Sequence, residues 1–388
     1  MRLNALFDSL PITVFERMSA LARDAGAINL GQGFPDGPEP VDLLEAAARA
    51  LSARSNQYPP SRGLPELRAA AADFYHRFDG LALKAENLVV TSGATEALAA
   101  ALMAAITPGD EVIVIEPAYD AYRPLIERAG GVVRSVTLAP PAWRLTLEAL
   151  EAVVTARTRV LVFNNPLNPA GRAFDQDEVE AVAAICRRHD LVTVSDEVWE
   201  RLVYDGGRHI SLSSVSGMFE RTLKIGSAGK LFGLTGWKVG LIVGGGDLLE
   251  AAAKAHQYIA FSTPPHLQVA VAEGLAWPSS RFAEQATALA RSRDLLAARL
   301  TAEGFEVLPS QATYFLCVDL KASGVDEGAA TFADRAVIEH GVAGIPVSAF
   351  MTGDLGGSVL RLCFAKPDEL LVEAARRLGQ ARLSEIAR

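Results

Sequence analysis

The 388-residue sequence is poor in cysteine, in histidine and in long apolar runs. Its three cysteines, Cys186, Cys317 and Cys363, lie far apart, which predicts buried thiols in a reducing compartment and neither a disulfide framework nor a zinc site. The six histidines are scattered, and we predict no metal. The longest apolar run, 97–106, is too short to cross a bilayer, and the amino-terminal segment lacks the apolar core of a signal peptide. We therefore expect a soluble cytoplasmic protein.

An excess of positive charge is also absent. The formal net charge is −9 and the isoelectric point is near 5.3, which argues against a nucleic-acid surface. Lysine itself is scarce, since only 7 of the 37 basic residues are lysine and 30 are arginine. Lysine can form Schiff bases and arginine cannot. A lysine in a small-residue turn is therefore a candidate for chemistry in this chain.

Strands and helices alternate between about residues 43 and 277. The predicted strands are 87–91, 111–116, 132–138, 159–164, 191–196, 222–225 and 239–243, and helices between them include 96–106, 121–129 and 176–189. Most of the strands are short β-branched runs, and several are nearly all apolar, as strands buried on both faces are. The alternation predicts an α/β fold with a mainly parallel seven-stranded sheet and helices on both of its faces.

The pattern changes after residue 278. A long Ala/Arg/Leu-rich helix, 281–303, is followed by predicted strands near 306–308, 314–318 and 359–364. We therefore predict a large domain over 43–277 and a smaller α+β domain formed by 1–42 and 278–388. The Gly/Pro-rich segment 31–38 cannot be regular structure and is expected to place backbone near a ligand.

Lys230 stands just after the predicted strand 222–225, in Gly-Ser-Ala-Gly-Lys-Leu. A phosphate-binding P-loop is excluded, because its first glycine would be Lys224 and its Ser/Thr would be Leu231. A nicotinamide fold is disfavoured, because no Gly-x-Gly-x-x-Gly opens the first strand–helix unit. A function for Lys230 therefore depends on other residues that could bind a ligand together with it.

Two further features share the sheet edge with Lys230. Thr-Ser-Gly-Ala-Thr-Glu, 91–96, links a strand to an alanine-rich helix and exposes backbone N–H groups to an anion, and Asp196 ends the strand 191–196. Pyridoxal phosphate needs a lysine for its aldehyde, an acid for its ring nitrogen and an anion site for its phosphate. The three features together match that cofactor.

The motifs around these residues resemble the class I aminotransferases of fold type I, a family that uses pyridoxal phosphate. The resemblance covers nearly the whole chain and is greatest for the kynurenine/glutamine/methionine aminotransferase branch. It rests on Asn-Leu-Gly-Gln-Gly-Phe-Pro-Asp (29–36), Asn-Gln-Tyr (56–58), Asn-Pro-Leu-Asn-Pro-Ala-Gly (165–171), Ser-Asp-Glu-Val (195–198), Gly-Ser-Ala-Gly-Lys to Gly-Trp-Lys-Val-Gly (226–240) and Leu-Arg-Leu-Cys-Phe (360–364).

The resemblance implies a catalytic pair. Lys230 is similar to the lysine that forms the Schiff base with the cofactor and then moves the substrate proton, and Asp196 to the acid that keeps the ring nitrogen protonated. It further implies cofactor contacts from Ala94, Thr95, Tyr119, Asn168, Trp199, Ser227 and Lys238, and from Tyr58 of a neighbouring subunit, hence a homodimer with the active site at its interface. Arg361, Gly33 and Asn168 are implied to bind the substrate.

The chain departs from the family pattern at several positions. Trp199 stands where the family usually has a tyrosine that donates to the phenolic oxygen of the cofactor, and an indole cannot ionise. Lys238 stands where many relatives have arginine, so the phosphate is expected to meet a point charge instead of a fork. Ala170 replaces the usual threonine, and Ser262 replaces the histidine of relatives that favour aromatic substrates.

The activity implied is transfer of an amino group from an α-amino acid of methionine, glutamine or aromatic type to a 2-oxo acid, by a ping-pong Schiff-base mechanism. Two alternatives keep the cofactor: cysteine-conjugate β-elimination and N-succinyl-diaminopimelate transamination. A non-catalytic binding or regulatory protein is a third alternative, which only Trp199 favours.

Overall fold

The computed structural model describes residues 3–353 and 356–387. In chain order, the strands of the described residues are β1 (Ile28–Asn29), β2 (Leu88–Thr91), β3 (Glu111–Glu116), β4 (Val132–Thr137), β5 (Thr158–Asn164), β6 (Val192–Asp196), β7 (Thr222–Ser227), β8 (Gly240–Val243), β9 (Glu306–Val307), β10 (Phe315–Asp319), β11 (Val342–Ala343), β12 (Ile345–Pro346) and β13 (Val359–Cys363). The α-helices are α1 (Ala5–Ser9), α2 (Val14–Asp24), α3 (Val41–Ala53), α4 (Pro65–Asp79), α5 (Ala94–Ala105), α6 (Tyr122–Arg128), α7 (Leu147–Glu151), α8 (Gln176–Arg188), α9 (Ala228–Leu231), α10 (Gly246–Ile259), α11 (Pro265–Leu275), α12 (Ser279–Ala302), α13 (Ala329–His340) and α14 (Asp368–Ile386).

Strands β2 to β8 form one seven-stranded sheet in the order β2-β8-β7-β6-β5-β3-β4. Strand β8 runs antiparallel to β2 and β7, and every other pair of neighbours is parallel. The predicted α/β fold with a mainly parallel seven-stranded sheet is therefore confirmed. Each predicted strand is present, and its ends differ from the prediction by at most two residues.

Both faces of this sheet are covered by helices. In β5, Val160 and Val162 pack into the cluster that contains residues of α5, whereas Leu161 and Phe163 pack into the cluster that contains residues of α8. Successive side chains of a strand point to opposite faces, so a strand buried on both faces must be apolar throughout. This requirement explains why the sheet strands are readable as apolar runs in the sequence.

The carboxy-terminal part of the chain forms a second, smaller sheet. Strands β9, β10, β12 and β13 are antiparallel in the order β12-β13-β10-β9, and β1 pairs in parallel with β11. Helices α12, α13 and α14 bury their apolar stripes against these strands. The three strands predicted here are present, whereas the two-residue strands β1, β11 and β12 were not predicted.

The three cysteines are buried and free, as the sequence predicts. Burial raises the pKa of the Cys186 thiol to about 11 and that of Cys317 to about 12, so these thiols stay protonated and unreactive at neutral pH. Across residues 3–353 and 356–387, no helix combines the length and apolarity needed to cross a membrane.

The fold directs three strand ends to one place. Asn164, Asp196 and Ser227 are the last residues of the adjacent strands β5, β6 and β7, and all three line the same cleft. A crevice at the carboxyl ends of parallel strands is where open α/β sheets bind their ligands.

Candidate active site

The cleft at this edge of the sheet has a volume of about 620 Å³. Eleven of the twelve site residues predicted from the sequence line it: Gly33, Ala94, Thr95, Tyr119, Asn168, Asp196, Trp199, Ser227, Lys230, Lys238 and Arg361. They come from segments far apart in the chain, and the fold brings them together. Tyr58 is the exception and lies outside the cleft.

Lys230 lies in the short helix α9, directly after β7. The Ser227 hydroxyl accepts a hydrogen bond from the Lys230 backbone N–H at 3.3 Å and so caps this turn. The Lys230 Nζ donates to the Gly33 carbonyl and to the Tyr314 hydroxyl, each at 3.1 Å. Burial, together with the Arg361 and Lys238 charges, lowers the pKa of Lys230 to about 8. A large share of this amine is therefore unprotonated at slightly alkaline pH.

Asp196 is buried at the end of β6. Its Oδ2 accepts a hydrogen bond of 2.6 Å from the Tyr122 hydroxyl, and its Oδ1 accepts a longer one of 3.4 Å from the Val198 backbone N–H. Burial raises the pKa of Asp196 to about 6, although the Tyr122 hydroxyl acts in the opposite direction. A cationic group placed beside this buried carboxylate would lower its pKa and keep it ionised.

The amino terminus of α5 forms an open cradle. Gly93 precedes the helix with φ of +89°, and no side chain caps the first turn, which begins with Ala94 and Thr95. A methyl group at Gly93 would lie 3.1 Å from Lys238 Cε and 3.3 Å from its Nζ. The glycine thus keeps space between the helix terminus and an ammonium group, which together attract an anion.

Arg361 occupies the middle of β13 and is buried. Its guanidinium donates to the Asn168 side-chain oxygen at 3.0 Å and to the Gly31 carbonyl at 2.6 Å, and it lies 3.9 Å from the centre of the Phe315 ring. Its Nε has no hydrogen-bond partner, and within the described residues no carboxylate pairs directly with the guanidinium, although the Asp120 charge acts on it. Burial lowers the pKa of Arg361 to about 10. A buried cation without a direct ion pair is costly unless a ligand supplies the charge.

Two aromatic residues line the cleft near these groups. The Trp199 ring packs edge-on against Tyr314, with ring centres 4.5 Å apart, and the Lys230 Nζ lies 4.9 Å from the Trp199 ring. Tyr119 packs edge-on against Tyr122, with ring centres 5.7 Å apart. Both rings line the cleft.

Tyr58 is on the surface. Its side chain is 83% exposed and packs edge-on against Phe261, with ring centres 5.3 Å apart. Phe261 is itself exposed, and so are Tyr258 and Ile259, which are close to Phe261 in sequence. Within one chain, then, Tyr58 does not reach the cleft that contains Lys230.

Sequence reasoning missed several residues of the site. Tyr122 and Tyr314 contact Asp196 and Lys230 directly, and Asp120 and Phe15 line the cleft. Tyr122 had a weak signal, because it stands three residues after Tyr119 and at the start of the predicted helix 121–129. Tyr314 had none, because its approach to Lys230 depends on how the smaller sheet meets the larger one.

A buried cluster of charges lies behind the cleft. The Lys224 Nζ is 2.9 Å from Asp79 Oδ2 and 2.6 Å from the nearest carboxylate oxygen of both Glu197 and Glu200. Glu197 also pairs with His209 at 2.8 Å. Glu197, Glu200 and His209 have the spacing of a metal site, but the Lys224 ammonium already lies between the two carboxylates. Glu197 of this cluster directly follows Asp196 in sequence.

Comparisons with known proteins agree with this geometry. Residues 25–378 match the family model for aminotransferase class I and II. The chain is 42% identical to the "Probable N-succinyldiaminopimelate aminotransferase" of Mycobacterium tuberculosis and 38% identical to the methionine aminotransferase of Escherichia coli, over 95% and 96% of both chains, respectively.

A solved structure extends the likeness to three dimensions. The N-succinyldiaminopimelate aminotransferase structure from Mycobacterium tuberculosis superimposes with a TM-score of 0.95 at 41% identity, covering 98% of this chain and all of the other. The alternative of a non-catalytic protein has no support among these relatives, which are named as aminotransferases. The chain therefore belongs to the aminotransferase class I and II family and is a pyridoxal-phosphate-dependent aminotransferase.

Proposed function

We propose that the enzyme takes the amino group from an α-amino acid with an uncharged side chain, of methionine, glutamine or aromatic type, and transfers it to a 2-oxo acid. Arg361 supports this proposal most directly. It is a buried guanidinium at the cleft with a free Nε and without a carboxylate partner in the described chain, and it is fixed by Asn168 and the Gly31 carbonyl. Arginine binds a planar carboxylate with two parallel hydrogen bonds. The substrate α-carboxylate is the group that completes it.

The remaining cleft wall supports an uncharged side chain. Phe15, Phe34 and Phe315 supply apolar surface, and Asp120 supplies a carboxylate whose pKa is raised by burial. In the described part of this chain, the cationic groups that line the cleft are Lys230, Lys238 and Arg361. They are assigned to the proton transfer, the cofactor phosphate and the substrate α-carboxylate, which leaves none of them for a second carboxylate. A distal carboxylate on the donor would meet Asp120 without a compensating cation, which disfavours a dicarboxylic donor.

The cleft fits pyridoxal phosphate. We assign the phosphate to the α5 amino terminus with Ala94 and Thr95, to Ser227 and to Lys238, because the gap that Gly93 keeps open lies there. The remaining contacts are assigned to Asp196 for the ring nitrogen, Tyr119 and Trp199 for the ring faces and edge, and Asn168 for the phenolic oxygen. When bound, the cofactor supplies an electron sink for the substrate Cα.

The reaction then depends on the protons that the chain's own residues hold. The pKa of Lys230 is lowered to about 8. A useful fraction of the amine is therefore unprotonated near neutral pH and can remove the Cα proton. Asp196 holds a negative charge at the buried end of the cleft, and the Tyr122 hydroxyl keeps its carboxylate oriented at 2.6 Å. Arg361 fixes the substrate by its carboxylate, and the Gly33 backbone lies beside the Lys230 amine. Together these groups hold the substrate Cα beside the Lys230 amine, which accepts and returns the proton.

We further propose a homodimer whose active sites lie at the interface. Support comes from Tyr58, which is 83% exposed and contacts the exposed Phe261, and from Tyr258 and Ile259, which are exposed and close to Phe261 in sequence. A group of large exposed apolar side chains is typical of an interaction surface. A second copy that covers this group would carry Tyr58 towards the neighbouring cleft. Sedimentation of the purified protein tests the dimer, and a Tyr58→Phe exchange that weakens cofactor binding tests the assignment of the residue.

Two other predictions from the sequence remain part of the proposal. The division into a large domain, 43–277, and a small domain, 1–42 with 278–388, is supported by the parallel pairing of β1 with β11, which joins the two terminal segments. A cytoplasmic location is supported by the buried, unpaired cysteines.

A panel of donors, read by the absorbance of the bound cofactor, tests the activity. Methionine, glutamine and phenylalanine should each convert the cofactor at least tenfold faster than aspartate or N-succinyl-diaminopimelate, and Lys230→Ala should abolish turnover. Asp120→Asn keeps the side-chain shape and should raise the rate with aspartate about tenfold, because it removes the repulsion. Faster use of N-succinyl-diaminopimelate by the native enzyme would contradict the donor class. Pyruvate release from a β-substituted alanine would instead establish β-elimination.

A further inference from the structure

The Tyr314 hydroxyl lies where three parts of the chain meet. Tyr314 immediately precedes β10 of the smaller sheet, Gly33 lies in the amino-terminal segment and Lys230 follows β7 of the large sheet. The Tyr314 Oη is 3.1 Å from the Lys230 Nζ and 2.6 Å from the Gly33 carbonyl oxygen, and Nζ is 3.1 Å from the same carbonyl. The amine, the hydroxyl and the carbonyl form a closed triangle.

The directions of these hydrogen bonds follow from the chemistry of the groups. A carbonyl oxygen can only accept, so the Tyr314 O–H must donate to Gly33, and its oxygen is left to accept from the Lys230 amine. Burial raises the pKa of Tyr314 well above its usual value, so the hydroxyl keeps its proton. The Lys230 amine is therefore held by two neutral acceptors, one of which is itself fixed by the other.

The neighbouring residues hold the triangle in place. Trp199 packs edge-on against the Tyr314 ring at 4.5 Å, and Tyr314 is 1% exposed, which leaves the ring little freedom to move. A methyl group at Gly33 would come within 2.8 Å of Phe315 Cζ, so a larger residue would require the Phe315 ring or the Gly33 backbone to shift. Trp199 carries no hydroxyl, and the hydroxyl beside the Lys230 amine comes instead from Tyr314.

We infer that Tyr314 is a positioning residue for the Lys230 amine, which its hydroxyl holds against the Gly33 carbonyl whenever that amine is not bound to the cofactor. This inference rests on the proposed role of Lys230 as the proton-transferring base. An amine that is free during the reaction and swings on four rotatable bonds loses much of its efficiency unless its position is fixed. Tyr314 fixes it from the smaller sheet, so the placement of the base depends on how the two sheets meet.

The first test uses the protein without its cofactor and so does not depend on turnover. Acetic anhydride labels unprotonated amines, and the labelling of Lys230 can be followed against pH by mass spectrometry of its peptide. Charged groups that act on this amine are Asp196, Lys238 and Arg361, and the Cys363 thiol lies near it. None of them is changed in Tyr314→Phe. Loss of the acceptor should lower the labelling midpoint, because hydrogen bonds to the charged form favour that form.

Tyr204→Phe is the matched control. The Tyr204 hydroxyl is also buried and donates to a backbone carbonyl, that of Thr313, but it does not contact Lys230. This variant should label with the native midpoint. An unchanged midpoint in Tyr314→Phe, or an equal shift in Tyr204→Phe, would overturn the inference. If Tyr314→Phe does not fold, 3-fluorotyrosine placed at position 314 keeps the ring and weakens the acceptor, and the midpoint should still fall.

The second test uses the holoenzyme. Tyr314→Phe should lower kcat by about 10- to 100-fold, part of the usual contribution of a positioned base, with little change in KM or in cofactor affinity. The kinetic isotope effect with an α-deuterated donor should increase, because proton transfer becomes slower relative to the other steps. A fall in cofactor affinity with an unchanged isotope effect would assign Tyr314 a structural role only. Native enzyme that transaminates none of the donors would refute the proposed function separately, leaving the labelling result to stand by itself.

Discussion

Replacing Lys224 by methionine should destabilise the fold more than any other single loss of charge described above. Lys224 lies in β7, is fully buried and contacts Asp79, Glu197 and Glu200 within 2.9 Å. Methionine has a similar length and is tolerated in a core. The exchange therefore removes the ammonium group without leaving a large cavity, and it leaves three carboxylates close together.

The expected loss is about 3–5 kcal/mol, the usual cost of removing one partner from a buried ion pair. The cost arises because each carboxylate was brought out of water and is now left without its cation. Set against a total stability of about 5–15 kcal/mol for a natural domain, this loss is large. The free energy of unfolding of the cofactor-free protein in urea measures it.

Two variants control the measurement. Lys254→Met removes an exposed lysine of α10 and should change stability by no more than about 0.5 kcal/mol. Adding Glu200→Gln to Lys224→Met should restore part of the loss, because it removes one of the stranded carboxylates and couples to the first change. Additive effects of the two exchanges would contradict the electrostatic explanation.

The loss should also depend on pH. In the native protein the Lys224 charge lowers the pKa of Glu197, so ionised Glu197 stabilises the fold above the ordinary glutamate pKa near 4.5. Without Lys224 the buried carboxylates have raised pKa values, and the variant becomes less stable as the pH rises through them. The difference between variant and native protein should therefore be larger at pH 8 than at pH 5.5. A loss that is equal at both pH values would refute the reasoning.

Three further predictions concern the cleft. Burial raises the pKa of Asp196 to about 6, so the cofactor affinity of the apo-protein should fall as the pH decreases through about 6. Asp196→Asn should remove this pH dependence in a fluorescence titration. An equal pH dependence in both proteins would contradict the assignment of Asp196. Arg361→Met should raise KM for the donor about 100-fold with unchanged cofactor affinity, and an unchanged KM would exclude the carboxylate assignment. Gly93→Ala should weaken cofactor binding about tenfold, because φ of +89° with ψ of 166° costs a side chain about 1–3 kcal/mol and the methyl group crowds Lys238. Native affinity would show that the cradle is elsewhere.

The large sheet could be predicted because burial on both faces leaves a strong pattern. The run Glu-Val-Ile-Val-Ile-Glu of β3 is buried along its whole length, and its predicted bounds are those of the structure. The two-residue strands β1, β11 and β12 leave no such pattern, because pairing over two residues is decided by packing between distant segments. Strands and helices could thus be predicted where a continuous stretch of the sequence is buried.

The site divides in the same way. Lys230 and Asp196 were predicted because each follows or ends an apolar strand, at the edge where an open α/β sheet binds its ligands, whereas Arg361 was implied by the family resemblance. Tyr314 and the partners of Lys224 were not, since a tyrosine before a strand and a glutamate after one are ordinary in any sequence. Their contacts span large separations, such as 84 residues between Tyr314 and Lys230. Packing between elements, which a single sequence does not display, creates them.

The hydrogen bond between Arg361 and the Gly31 carbonyl joins residues 330 positions apart. The cleft is therefore complete only after almost the whole chain has been synthesised, and a nascent chain that ends before β13 has Lys230 and Asp196 without the group assigned to the substrate. Such a fragment could place an amine beside an anion cradle but could not select an amino acid. The groups assigned to the cofactor and the group assigned to the substrate are thus all in place only once β13 has paired with β10 and β12.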